Sequence, residues 1–102
     1  MEKLELQTEI GDGKDTEVRA LFDGPRRKII QITLRRDAIL KAHKADEPIT
    51  VQCVAGSGEF IDVAENRSYE LTAGVLITVE PSIVHEVRGL PDVSILLTKF
   101  TA

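Results

Sequence analysis

Two histidines, His43 and His85, are the side chains best suited to proton transfer or metal ligation near neutral pH. Neither belongs to a compact metal or nucleophile motif, and an isolated strand histidine is more often a hydrogen-bonded surface residue than a ligand. Their settings are nonetheless alike. His43 precedes a tight loop and a strand that ends near Gly56, and His85 follows Gly74, a strand and the Glu80-Pro81 turn. The single cysteine, Cys53, shares a strand face with Ile49 and Val51 by alternation, and a free thiol ordinarily packs as a small apolar group. Lys41 and Lys44 flank His43. Lys41, two residues before it, shares its face by strand alternation and is the candidate anion contact. The remaining basic clusters, Arg26 to Lys28 and Arg35-Arg36, sit at strand ends, where charge blunts a sheet edge. Gly13-Lys14 lacks the spacing of a phosphate-binding loop.

The elements that must position these residues are strands. No window carries the i, i+3, i+4, i+7 apolar pattern of a helix of ordinary length; Ala38 to Ala45 comes nearest but is short and lies between breakers. Val, Ile and Thr number 9, 10 and 8, about a quarter of the chain, which is a strand composition. Val18, Ala20 and Phe22 alternate with Arg19 and Leu21 up to Asp23-Gly24-Pro25. Ile30, Ile32 and Leu34 form one face and Gln31, Thr33 and Arg35 the other, predicting a half-buried strand. Ile49 to Val54 ends at Gly56-Ser57-Gly58, and Phe60 to Ala64 follows. Val84 to Arg88 is closed by Gly89 and Pro91-Asp92, and Val93 to Phe100 finishes the chain. This predicts about eight to ten strands, with turns roughly every eight to twelve residues. The expected fold is all-β, a small antiparallel jelly-roll barrel or sandwich spanning residues 16–102 as one domain. Residues 1–15 are polar and predict an arm, or a strand exchanged with a partner subunit.

Composition excludes several classes of function. The 102 residues carry a net charge of −4, so no basic field exists to hold a phosphate backbone. No apolar run approaches the roughly 18 residues of a membrane span. Met1 to Gln7 lack the apolar core of a signal peptide. A lone cysteine suits a reducing compartment. The expectation is a cytoplasmic protein with no nucleic-acid or membrane partner. Phe22, Phe60, Tyr69 and Phe100 are the whole aromatic complement, which gives sugar recognition poor support.

Two stretches carry a family resemblance. Ala42 to Phe60, AHKADEPITVQCVAGSGEF, resembles the first motif of the cupin superfamily, and Leu71 to Gly89, LTAGVLITVEPSIVHEVRG, resembles the second. The first motif of that family usually reads His-x-His, three or four residues, Glu, six residues, Gly. Anchored on Gly56, its glutamate falls on Ile49, its second histidine on Ala45 (or Lys44), and its first histidine on His43. The second motif usually reads Gly, five residues, Pro-x-Gly, two residues, His. Counted from Gly74, it places Glu80 at the proline, Ser82 at the glycine and His85 at the histidine. The resemblance therefore implies a single-domain barrel in which His43 and His85 face one cavity, with Lys41, Ala45, Ile49, Val51 and Cys53 lining it. It also implies a homodimer, with which the outward apolar residues Leu21, Val54 and Leu96 are consistent.

The departures bear on chemistry. Cupins that act on metals typically hold iron, manganese, nickel or zinc with three histidines and a carboxylate, and a catalytic site needs at least three protein ligands. Ala45 and Ile49 cannot donate. Two imidazoles then imply a weak metal site, with Asp46, Glu47 or Cys53 as candidate third ligands. Three readings follow. In the first, the barrel binds a small molecule or a weakly held divalent transition metal (Zn, Ni, Fe or Mn) through His43 and His85. In the second it is a small enzyme, a degenerate dioxygenase or a metal-free isomerase or epimerase. In the third it is an interaction barrel that has lost its site. The fold cannot choose among them; one histidine retained from each motif favours the first.

Overall fold

The structure of the protein, a computed structural model, describes residues 1–101; residue 102, the end of the expected barrel domain, lies outside them. Seven strands build it: β1 (Thr16–Gly24), β2 (Arg27–Leu34), β3 (Ile39–His43), β4 (Ile49–Asp62), β5 (Arg67–Thr72), β6 (Leu76–Val79) and β7 (His85–Phe100). Every pairing between them is antiparallel, and the expected all-β class is found. No helix among the described residues is long and apolar enough to cross a membrane.

The strands are fewer and longer than expected. Gly56-Ser57-Gly58 does not end a strand, and neither does Gly89 with Pro91-Asp92. Each glycine segment lies inside one continuous strand, β4 of 14 residues and β7 of 16. The physical reason is a bend rather than a turn. The β4–β7 register slips between Cys53 and Ala55 and again between Gly56 and Gly58. Glycine permits this because the backbones approach closely. Gly56 has φ +75°, and a Cβ there would collide with the Asp92 carbonyl; one at Gly58 would collide with the Arg88 carbonyl.

These two bent strands generate the barrel. They run side by side through both halves. The first half of β4 takes β6 on its free edge and the second half takes β5. The first half of β7 takes β3, and its second half takes β2, which carries β1. Two faces result, β1-β2-β7-β4-β6 and β3-β7-β4-β5, sharing their central pair in a jelly roll. Ile32, Leu34, Ile49, Val51, Val79, Val93 and Ile95 from one face meet Phe60, Leu71 and Val87 from the other in a closed apolar core.

The second half of β2, from Gln31 on, is buried on both faces, not half-buried. Gln31, Thr33 and Arg35 retain only 2%, 5% and 3% of their exposure. The N-terminal arm of the same chain covers them. The Gln31 side-chain amide accepts from Gln7 N and donates to Gln7 O, as a neighbouring strand would. Arg35 donates to the carbonyls of Ile10, Gly11 and Lys14 and pairs with Glu17 at 2.7 Å. Alternation reports two chemically different faces; it cannot report that a polar face will be roofed by backbone carbonyls.

Candidate functional site

Register brings the site together. Across β7 and β4, His85 stands opposite Asp62, and Val87 opposite Phe60. Across β3 and β7, His43 stands opposite His85, and Leu40 opposite Val87. Directly opposed residues share a face. The inner face therefore carries an apolar row, Leu40–Val87–Phe60, and at its end a polar row, His43–His85–Asp62. Strand β5 extends both, with Tyr69 opposite Phe60 and Arg67 opposite Asp62.

The two imidazoles are in contact, with ring centroids 4.3 Å apart and planes inclined at 62°. His85 also stacks on Phe60, centroids 5.2 Å apart and planes within 15°. Both rings are held alike. Nδ1 of His85 bonds the Ile83 carbonyl at 2.9 Å, and Nδ1 of His43 bonds the Lys41 carbonyl at 2.8 Å. A carbonyl only accepts, so each Nδ1 carries the proton and Nε2 is the acceptor of each neutral ring. The surroundings differ. His43 is exposed, whereas His85 is 1% exposed and its Nε2 is buried without a partner among the described residues. Burial pushes the His85 pKa below its ordinary value and the neighbouring His43 adds to this, against the bond to Ile83.

Beside the pair lies a cavity of about 210 Å³ whose apolar wall is Phe60, Tyr69, Ile77, Val79 and Ile83, with Asp62 and Glu80 among its polar lining. Phe60 is shared between them: it lines the cavity and stacks on the His85 ring.

The residues expected around the histidines are distributed otherwise. Ile49, Val51 and Cys53 belong to the closed core. The Cys53 thiol contacts the Ala55 carbonyl at 3.6 Å, and desolvation raises its pKa, so it is a protonated core group. Ala45 packs against the core edge, and its carbonyl accepts from Ser82 N. Lys41 is exposed and gives His43 its carbonyl rather than its ammonium. Its expected common face with His43 is broken by a one-residue bulge in β3 between Leu40 and His43. Glu47 pairs with Lys99 at 3.6 Å, and Asp46 is exposed. None of the five expected lining residues borders the cavity. Asp62, which does, has one signal in the sequence, its place two residues after Phe60 in an alternating run.

A metal would meet two imidazoles and little else. No three His, Cys, Asp or Glu side chains come together among the described residues. The donor set is one short of the three protein ligands that a catalytic zinc or a non-haem iron requires.

No family model and no curated protein matches the sequence. Solved structures do match in fold. An RmlC-like cupin from Desulfovibrio desulfuricans is similar at TM-score 0.79 and 16% identity, over 96% of this chain and 97% of that one. An RmlC-like cupin from Shewanella frigidimarina is similar at TM-score 0.79 and 22% identity, over 100% of this chain and 93% of that one. The polyketide cyclase RemF from Streptomyces resistomycificus reaches TM-score 0.78 at 19% identity, over 96% and 72%. With two long bent strands shared between facing sheets, and motif-like segments in the expected order, the chain has the fold of the RmlC-like cupins.

Proposed function

We propose that the protein is a small-molecule-binding barrel whose ligand is held by His43 and His85. One observation carries the reading: the buried, unpartnered Nε2 of His85. Leaving such an acceptor unmet costs about 1–3 kcal/mol. Its ring is fixed by a hydrogen bond and an aromatic stack, so the lone pair is held ready for a donor. His43, in edge contact with it, supplies a second oriented acceptor nearer the solvent.

Both Nδ1 atoms are held by backbone carbonyls, which fixes the two Nε2 atoms as the acceptors offered to a ligand. Zinc, nickel, iron or manganese would find two donors, so the residues do not complete a resident metal site and no step is assigned to one.

The test is a fragment screen on metal-free protein followed by NMR of the histidine rings. Binders that shift both rings in the wild type and are lost in folded His85→Phe support the reading. Binders that leave both rings unmoved overturn it. Stoichiometric zinc uptake that vanishes in His43→Ala and in His85→Ala would replace it with a metal site.

A further inference from the structure

We infer that the cavity beside the histidine pair selects an organic cation, a primary ammonium on a small apolar or aromatic body. This rests on the reading of the histidine pair as a small-molecule site, which the cavity adjoins through Phe60 and Asp62, and names the class of molecule. Three features of the cavity converge on it.

The first is size and wall. The cavity of about 210 Å³ presents the Phe60 and Tyr69 rings together with Ile77, Val79 and Ile83. Single-ring molecules fit such volumes; benzene fills an apolar cavity of roughly 150 Å³.

The second is the polar complement. Asp62 and Glu80 bring two carboxylates to the lining and no lysine, arginine or histidine lines it. Asp62 is half-buried, and its Oδ1 takes one hydrogen bond, from Glu65 N at 3.2 Å. Arg67, opposite Asp62 on β5, is exposed and outside the lining; its guanidinium lies near the Tyr69 hydroxyl and the Asp62 carboxylate, which raise its pKa. His85 does not line the cavity, but its ring stacks on Phe60, which does. Charged acceptors around aromatic rings favour a donor-rich cation, both by charge-assisted hydrogen bonds and by the negative faces of the rings.

The third is what an anion would meet. A carboxylate or phosphate in this cavity would face the like charges of Asp62 and Glu80, and the one cation beside it, Arg67, is exposed and outside the lining, so such juxtaposition costs affinity.

The experiment compares benzylammonium, benzyl alcohol and benzoate by NMR titration of the full chain, reading the Phe60, Tyr69 and histidine ring signals. The expected result is saturable binding of benzylammonium at least tenfold tighter than benzyl alcohol, with no binding of benzoate. Asp62→Asn should weaken benzylammonium about tenfold and leave benzyl alcohol unchanged. Glu80→Gln, at an exposed position that tolerates change, should weaken it several-fold and serves if Asp62→Asn fails to fold. Equal binding of the alcohol or the benzoate, or unchanged affinity in Glu80→Gln together with Asp62→Asn, overturns the cation assignment. If the neutral alcohol still shifts the histidine rings in that case, small-molecule binding at the pair survives. If fragments that do bind leave both rings unmoved, that reading falls as well.

Discussion

His43 faces His85 because β3 carries one extra residue between Leu40 and His43. Regular alternation from Leu40 would place Ala42 on the inner face, opposite His85, and send His43 outward with Lys41. The bulge brings the imidazole in, to a centroid separation of 4.3 Å. It also leaves the Lys41 carbonyl to fix the ring at Nδ1. Bulges recur where a side chain must be re-aimed toward a site. Here one residue of slippage makes two strand histidines into a pair.

The unmet acceptor of His85 should weigh on stability. His85→Phe keeps the stack on Phe60 and removes the buried polar atom. The expected outcome in urea denaturation is a gain of about 1 kcal/mol, because an apolar group of similar shape relieves an unsatisfied one. Ligand binding should be abolished in the same variant. A loss of stability of that size would show that Nε2 is satisfied in the native protein.

Stability should fall as the solution is acidified from pH 7 toward 5.5. The unfolded His85 titrates near its ordinary 6.5, and the folded one lower. Above 6.5 both states are neutral and the stability is complete. Below it the unfolded chain takes up the proton first, so stability declines with falling pH until the folded ring protonates too. One proton sets a ceiling of about 1.4 kcal/mol per pH unit. The comparison with His85→Phe isolates this contribution from that of the carboxylates; identical slopes for the two proteins would refute it.

The fold class was legible because β-branched alternation is a local property, written residue by residue. Strand continuity was not, since Gly56 and Gly89 read the same whether a chain turns or two backbones merely touch. The histidine pair was legible through the order of two motif-like segments. Its neighbours were not, because Ile49, Val51 and Cys53 face inward into a packed core instead of an open cavity, and alternation cannot distinguish the two. Asp62 was not legible either, for the complementary reason. It meets His85 only through the β4–β7 register, a long-range pairing with no trace in either segment.

Glycine positions separate backbone strain from steric collision. Gly56 and Gly74 both have positive φ, +75° and +98°. At Gly74 an added Cβ meets nothing within 4 Å, whereas at Gly56 it meets the Asp92 carbonyl and the Ile10 side chain. Gly74→Ala should therefore cost about 1 kcal/mol, from conformation alone. Gly56→Ala should cost at least about 3 kcal/mol and disturb the bend that β4 and β7 share. Equal thermal-denaturation shifts in the two variants would mean that the bend relaxes freely.

Arg35 should be the residue that fastens the arm. Its side chain is 4% exposed and spends its donors on three arm carbonyls and on Glu17. The arm backbone has no regular strand partner in the sheet. Its carbonyls are met instead by side chains, Arg19 at Glu5, Gln31 at Gln7 and Arg35 from Ile10 to Lys14. Arg35→Met retains the aliphatic stem but leaves those carbonyls without donors, so they regain partners only by returning to water. The arm should then detach while the barrel, whose core lies on the opposite face of β2, stays folded. Trypsin should cut after Lys14 at least tenfold faster than in the wild type, and the Gln7 amide should lose its exchange protection. Global stability should drop by about 2 kcal/mol, less than for a fully buried ion pair because Glu17 is 40% exposed and rehydrates. Gln31→Leu should loosen only the Gln7 end, leaving cleavage after Lys14 unchanged. Unaltered cleavage in Arg35→Met would mean that burial of the half-buried Leu4, Leu6 and Ile10 side chains holds the arm without it.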